Sequence, residues 1–369
     1  MSETLRVILA LTLLPKIGSQ RIRILLRAVQ NPLDVFKMKH NDLLAIPGIG
    51  NRLATEVSGF SDWKKIDRIL EVTQKTNAQI ITLRSKKYPP LLREIYDSPL
   101  LLWVLGSTEV LSNNNVAVVG TRTPTQYGKL MTDYFVEGLV NMNITTVSGL
   151  AYGIDTIAHK KTLEYGGKTI AVLGSGIDWI YPKDNTSLAR GIIENGGAVI
   201  SEFPPGSKPD AGNFPVRNRV VSGLSHGVLV IETGLKGGSM ITANSALDQN
   251  REVFVVPHRN PDRLGEGCNK LIKNGYGKLV QNIDDIFNEL SFQQKVLGVQ
   301  VNKTSNNWRE KQLGEYGQKI CTILEDGPLH IDQLAIKMSR NGGQLLADLL
   351  DLEFSGCVTQ KAGKVFELT

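Results

Sequence analysis

Residues Asn213–Ala246, NFPVRNRVVSGLSHGVLVIETGLKGGSMITANSA, place two kinds of phosphate-binding chemistry close together. Arg217-Asn218-Arg219 is a cationic block. One buried strand later, Gly237-Gly238-Ser239 forms a loop that opens a helix. Backbone N–H groups of such a loop can point at an anion, and the helix N-terminus adds partial positive charge. The two arginines can hold further phosphates or stack on bases. Several phosphate ligands with no evident catalytic group point to binding a polyanion more than breaking one.

These residues need a frame. Residues 86–290 alternate apolar strands with amphipathic helices, which implies an α/β fold with a parallel sheet covered on both faces. Strands are expected at Val116–Gly120, Thr145–Ser148, Lys168–Leu173, Ala198–Ser201, Val228–Glu232 and Glu252–Val256. Helices are expected near Gln126–Met142, Ile154–Tyr165, Ser187–Asn195, Phe214–Leu224 and Ser239–Gln249. Glycine-containing loops follow at least four strands: Gly120-Thr121-Arg122, Ser148 to Gly153 (with Gly149), Gly174-Ser175-Gly176 and Gly234–Gly238. Loops at the carboxyl ends of a parallel sheet gather along one edge, where ligands bind.

The chain of 369 residues implies two or three domains, and 41% hydrophobic with 21% charged residues describes a globular protein with ample core. Three cysteines without CxxC spacing speak against disulfides and for a reducing cytoplasm. The five histidines are scattered, so no metal site and no cofactor site is readable. The apolar run Val7–Leu14 is too short to span a bilayer and reads as a core helix, so no membrane association is expected. Net charge is +6, and its distribution is uneven. Residues 1–90 hold 15 Lys and Arg against 7 Asp and Glu, whereas the remainder holds 27 against 29. A basic module attached to a neutral body is the footprint of a nucleic-acid binder, or simply a solvated lysine-rich face.

The outer regions read separately. Residues 1–85 form short helices joined by glycine turns, an all-α helix-hairpin-helix (SAM-like) domain. Leu14-Pro15-Lys16-Ile17-Gly18 and Ile46-Pro47-Gly48-Ile49-Gly50 are related turns, each followed by a basic helix. Such a turn approaches a DNA phosphate or serves only as packing, and the first copy has lysine where its first glycine should stand. Residues 291–315 are polar and read as a linker. Residues 316–369 run helix, helix, helix, hairpin, the order of a winged helix.

Enzyme signatures fail on particular residues. A dinucleotide site needs G-x-G-x-x-G and a later acid, but Gly120-Thr121-Arg122-Thr123 lacks the second glycine and the next strand ends in Ser148. A Walker loop needs Gly-Lys-Ser/Thr, but Gly128-Lys129 and Gly277-Lys278 are followed by leucine. Rossmann-type phosphoribohydrolases carry GGxGTxxE; aligned on Gly237-Gly238, this chain has Met240, Ile241 and Asn244 for the Gly, Thr and catalytic Glu. A nucleotide hydrolase using the same pocket is the alternative reading that this departure weakens.

Gly120-Thr121-Arg122, Ser148–Asp155 with Ala158-His159, Gly174–Asp178 with Tyr181-Pro182, Ser201–Gly206, Phe214–Arg219 and Gly238–Ala243 stand in one order that resembles the DNA-processing protein A (DprA/Smf) family. The resemblance covers about residues 86–285. It implies an extended Rossmann-like core and a cytoplasmic, dimeric, non-enzymatic protein. Such a protein binds single-stranded DNA, protects incoming strands during natural transformation and loads the recombinase RecA. Carried over by residue, Arg122 and Lys183 would contact phosphate. Arg217, Asn218 and Arg219 would line the same basic pocket, and the loops at Gly149–Gly153, Gly174–Gly176 and Gly237–Ser239 would supply backbone donors. Leu271 and Ile272, within Gly267–Gly277, are the residues implied at a dimer interface, or else ordinary core. Tyr127, Tyr152, Tyr181, Phe203 and Phe214 lie beside the phosphate loops as stacking platforms or as core. Asp155 and His159 are read as fixing the loop before their helix, and Glu202 as a partner for an arginine of Arg217–Arg219.

Overall fold

The computed structural model describes residues 3–15, 17–290, 308–311, 313–361 and 363–368. The expected linker falls largely on residues 291–307, outside the described residues.

A nine-stranded sheet organises the centre. Its strands are β1 (Gln79–Thr82), β2 (Leu101–Gly106), β3 (Asn115–Val119), β4 (Thr145–Ser148), β5 (Thr169–Leu173), β6 (Ala198–Ser201), β7 (Gly227–Val230), β8 (Glu252–Val255) and β9 (Lys278–Leu279). Their spatial order is β1-β2-β6-β5-β4-β3-β7-β8-β9. All neighbours from β6 to β9 pair in parallel, while β2 runs antiparallel to β6 and β1 antiparallel to β2. The six expected strands are all present to within two residues at each end. Every residue of β3 to β6 is buried, because helices cover both faces; β3, β5 and β6 are accordingly mostly apolar without alternation, and β4 (Thr-Thr-Val-Ser) buries hydroxyls.

The sequence pattern did not show β1, β2 and β9. β1 lies inside the stretch expected to be wholly helical, and it is recruited by β2 rather than by its own periodicity. β9 is two residues long, too short to leave a pattern.

From β3 the chain winds outward through β4, β5 and β6, then returns to place β7 on the other side of β3. The carboxyl ends of β3 and β7 therefore form a topological switch point, where the flanking loops diverge and open a crevice. Two helices start there: α1 (Gln126–Asn141) after β3 and α2 (Gly238–Asp248) after β7. α3 (Asn213–Gly223) packs against α2 and brings Arg217 over the same edge.

The N-terminal helices bury Val7–Leu11 and share one core with Leu101 and Trp103 of β2. The Trp103 indole N–H donates to the Thr73 hydroxyl at 3.1 Å, which ties this domain to the sheet. The hairpin turn at Ile46–Gly50 is present, with Gly48 in the left-handed region (φ 87°). C-terminally, helices Glu315–Leu324, Ile331–Met338 and Gly342–Phe354 pack on strands Leu329–His330, Val358–Lys361 and Val365–Leu368, the winged-helix order. Among the described residues, no helix is long and apolar enough to cross a membrane.

Candidate nucleic-acid interface

At the switch point lies a cleft of about 540 Å³, lined among others by Arg122, Gly149, Phe214, Arg217, Asn218 and Ser239. Arg122 stands at its mouth. Its loop is pinned by two backbone bonds, Thr121 N–H to the Glu232 carbonyl (2.7 Å) and Ile154 N–H to the Thr121 carbonyl (3.1 Å). The guanidinium is exposed, lies 5.6 Å from the Phe214 ring centroid, and makes no ion pair among the described residues. It is therefore a cation held over an aromatic platform and free to meet a phosphate.

Arg217 is different. Its side chain is buried, and Nη1 donates to the Gly149 carbonyl (2.5 Å) and to the Val172 carbonyl. Burial, together with the nearby Arg122 charge and against the pull of Asp155, lowers its pKa to about 10. Asp155, pushed upward by burial, accepts from the Gly149 and Ala151 N–H groups at 3.1 and 3.3 Å. Arg217 thus forms the charged floor of the cleft and laces the ends of β4 and β5 together. Asp155 fixes the loop before its helix, as expected. His159 is fully buried and neutral, its pKa pulled down to about 3 by burial; Nδ1 meets the Thr169 hydroxyl at 2.7 Å.

Arg219 does not share this pocket. Two residues along a helix is a rotation of about 200°, so it faces away from Arg217. It donates to the Asp97 backbone carbonyl (2.8 Å), pairs with the Asp97 carboxylate (3.1 Å) and is bonded to Glu202, lining a separate cavity beside the winged helix. Glu202 does partner an arginine of the block, and that arginine is Arg219.

The opposite wall is the start of α2. Gly237 is the N-cap; its own N–H is spent on the Gly234 carbonyl (3.0 Å). Gly238 and Ser239 occupy the first turn, whose N–H groups have no partner within the helix. The Ser239 hydroxyl is 5% exposed and has no hydrogen-bond partner. A buried orphan hydroxyl beside first-turn amides is a cradle built for an anion. Asn218, donating weakly to the Gly238 carbonyl (3.4 Å), spans between floor and wall.

The remaining glycines are not donors to the cleft. Gly149 gives its N–H to Asp155, and a Cβ there would lie 2.5 Å from the Arg217 guanidinium. Gly153 (φ 77°) lets the next helix approach the Arg122 loop, since a Cβ would sit 2.3 Å from the Thr121 carbonyl. Gly174 makes room for Phe214. The Ser175 hydroxyl bonds the Trp179 carbonyl (2.6 Å) and Gly176 N–H the Ser207 carbonyl (2.8 Å), so the Gly174–Gly176 loop spends its polar groups internally.

Lys183 is exposed and begins a short 3-10 turn outside the cleft. It is tied toward the cleft by its neighbour Asp184, which accepts from the Tyr152 hydroxyl at 2.8 Å. Between Lys183 and Arg122 runs a row of rings: Tyr152 and Tyr181 are exposed, and Tyr181 lies 5.8 Å from Phe214. Trp179, 44% exposed and two residues before Tyr181 in the sequence, is a further exposed aromatic that sequence reasoning missed. Tyr127 instead packs edge-on against His258, away from the cleft. Leu271 is 1% exposed and packs in the core, the second of the two readings given for it, and Ile272 is partly buried against the same core.

Residues 79–291 match the family described as DNA recombination-mediator protein A, and residues 310–364 match the DprA winged helix domain. The chain belongs to the DprA/Smf family. Protein Smf of Escherichia coli is 35% identical over 331 residues, covering 89% of this chain and 88% of that protein. Protein Smf of Synechocystis is 34% identical over 352 residues, covering 87% and 88%. The X-ray structure of DprA from Streptococcus pneumoniae superposes with a TM-score of 0.68 at 34% identity, covering 79% of this chain and all of that one. A Helicobacter pylori DprA structure, described by its single-stranded DNA binding mode, superposes at 0.52 with 33% identity, covering 57% and 95%.

Proposed function

We propose that this DprA/Smf chain is a non-enzymatic single-stranded DNA-binding protein that protects incoming strands and loads RecA onto them. The observation that carries the reading is the cleft itself: Arg122, over Phe214 and without an ion pair among the described residues, lines it together with the first turn of α2, the Ser239 side chain and the buried Arg217. Single strands are held by a cationic groove combined with rings on which bases stack, and Tyr181, Trp179 and Lys183 continue both features beyond the cleft. The single-stranded DNA binding of the Helicobacter pylori relative supports the same reading.

Hydrolysis is disfavoured by where the carboxylates stand. Asn244, at the catalytic glutamate's position, is exposed on α2 outside the cleft lining. Asp155, the acid at the cleft, is buried and accepts from two backbone amides, with the Arg217 charge nearby. Homodimerisation is proposed through β9, the edge strand of the sheet, where Ile272, Tyr276 and Leu279 offer apolar surface.

The test has two arms. RecA filament assembly on strands pre-coated with a single-strand-binding protein should accelerate when the full chain is added. Release of base from nucleoside monophosphates should stay at background. Base release without acceleration would replace this reading by the hydrolase.

A further inference from the structure

The parallel register of β7 and β8 brings together three residues that are far apart in the sequence. Val230 pairs with Val255, so Glu232 and His258 leave adjacent strand ends side by side, and Asp262 follows four residues after the histidine. One ligand atom from each of Glu232, His258 and Asp262 lies within 4.8 Å of the other two.

The histidine decides what this cluster is for. Its side chain is 1% exposed. Nε2 lies 2.9 Å from the Ile231 backbone carbonyl, which can only accept, so Nε2 carries the hydrogen. In the neutral ring Nδ1 is then the lone-pair nitrogen, and it is buried without a hydrogen-bond partner among the described residues. It faces the Asp262 carboxylate at 3.6 Å, too far for a hydrogen bond. A buried lone pair aimed at two carboxylates is repulsive unless a cation lies between them. Backbone-anchored Nε2–H with a free Nδ1 is also the arrangement that orients metal-binding histidines.

The surroundings hold each group in place. Glu232 is completely buried and accepts from Thr125 N–H (2.8 Å) and the Thr125 hydroxyl (2.5 Å), making no ion pair among the described residues. Asp262 accepts from Leu264 N–H at 3.1 Å. Asn269 clamps the His258 backbone from both sides, donating to its carbonyl (2.8 Å) and accepting from its N–H (3.1 Å). A cavity of about 690 Å³, lined by Thr125, Tyr127, His258, Arg259, Asp262 and Arg263 among others, opens onto the histidine and Asp262.

We infer that Glu232, His258 Nδ1 and Asp262 form a binding site for a divalent transition-metal ion, with Zn²⁺ and Mn²⁺ as its class. One imidazole and two carboxylates suit these ions better than Mg²⁺, which prefers oxygen ligands and its own water shell. The remaining positions are left to water from the cavity. The ion has a structural consequence. Glu232 holds Thr125, the N-cap of α1, and its backbone carbonyl holds Thr121, so the metal secures the base of the Arg122 loop.

The full-length chain, stripped with a chelator and dialysed, is titrated with Zn²⁺ by calorimetry, and bound metal is counted by elemental analysis. One ion per chain is expected. Asp262→Asn, partly exposed and of the same shape, should weaken binding at least tenfold while melting like the stripped wild type. His258→Ala should abolish the site. Co²⁺ in place of Zn²⁺ should give a ligand-field spectrum that His258→Ala loses, and hydrogen exchange at Thr121–Thr125 should slow on metal addition in the wild type alone. Wild-type stoichiometry and affinity in both variants would place the ion elsewhere and overturn the assignment. So would failure of the stripped chain to bind one equivalent, or a nitrogen-15 spectrum showing a His258 proton on Nδ1 that Zn²⁺ does not displace.

Discussion

Changing Arg122 and Arg217 separately distinguishes a residue that binds from one that also holds the cleft together. Arg122→Ala removes an exposed guanidinium that makes no ion pair among the described residues, so the folded state should lose no more than about 0.5 kcal/mol, the usual range for such surface changes. Binding should suffer far more. One charge-assisted contact contributes about 1.5–3 kcal/mol, which corresponds to roughly 10- to 150-fold in affinity. Losing one phosphate contact should also flatten the slope of log K against log salt by about 0.7 on a single strand. Arg217→Ala leaves the buried Gly149 and Val172 carbonyls without their donor and removes the positive charge near Asp155, which together should cost about 3–5 kcal/mol. At roughly 2–4 °C per kcal/mol for a core of this size, its melting transition should fall by about 6–20 °C. The assay is fluorescence anisotropy with a labelled oligothymidylate at several salt concentrations, with thermal melts on the same samples. Wild-type affinity and slope in Arg122→Ala, or an unchanged melt in Arg217→Ala, would refute the division of labour.

Other outcomes follow from the same geometry. Gly238→Ala adds a methyl where nothing lies within 4 Å, so the melt should hold while oligonucleotide affinity falls several-fold, read by anisotropy. His159 has a folded pKa of about 3 against 6.5 for the free side chain. The unfolded chain therefore binds the extra proton: the stability is complete above pH 6.5 and is lost as pH falls below it. At pH 5 the loss should be about 2 kcal/mol, and His159→Gln should remove that part of the pH slope in denaturant titrations. Leu279→Asp, on the exposed β9 edge, should shift the sedimentation coefficient from dimer to monomer without altering the melt of the winged helix.

The sequence made the central sheet legible because buried parallel strands are largely apolar runs, and β3 and β5 to β8 are of that kind, while β4 (Thr-Thr-Val-Ser) is buried with mostly hydroxyl side chains. It was silent on β1 and β2, which join the sheet antiparallel, outside the repeating strand–helix rhythm. At the site, residue types were visible but directions were not. Arg217 and Arg219 look equivalent as letters, yet helical rotation sends one to the cleft floor and the other to Glu202. The glycine loops looked alike as phosphate cradles, but only the α2 start leaves polar groups unspent. Gly149, Gly153 and Gly174 are required for close approach, which spacing cannot distinguish from ligand binding. His258 was one scattered histidine until the β7–β8 register set it beside Glu232.

The central claim is that the strand lies in the cleft between Arg122 and α2 and runs over Phe214 and Tyr181. Photo-crosslinking of the full chain to a single strand carrying 4-thiothymidine, followed by peptide mapping, tests it most directly. Crosslinks should concentrate on Phe214, Tyr181 and Trp179 and disappear with excess unlabelled single strand. Crosslinks confined to the N-terminal helices or the winged helix, with none in peptides lining the cleft, would contradict it.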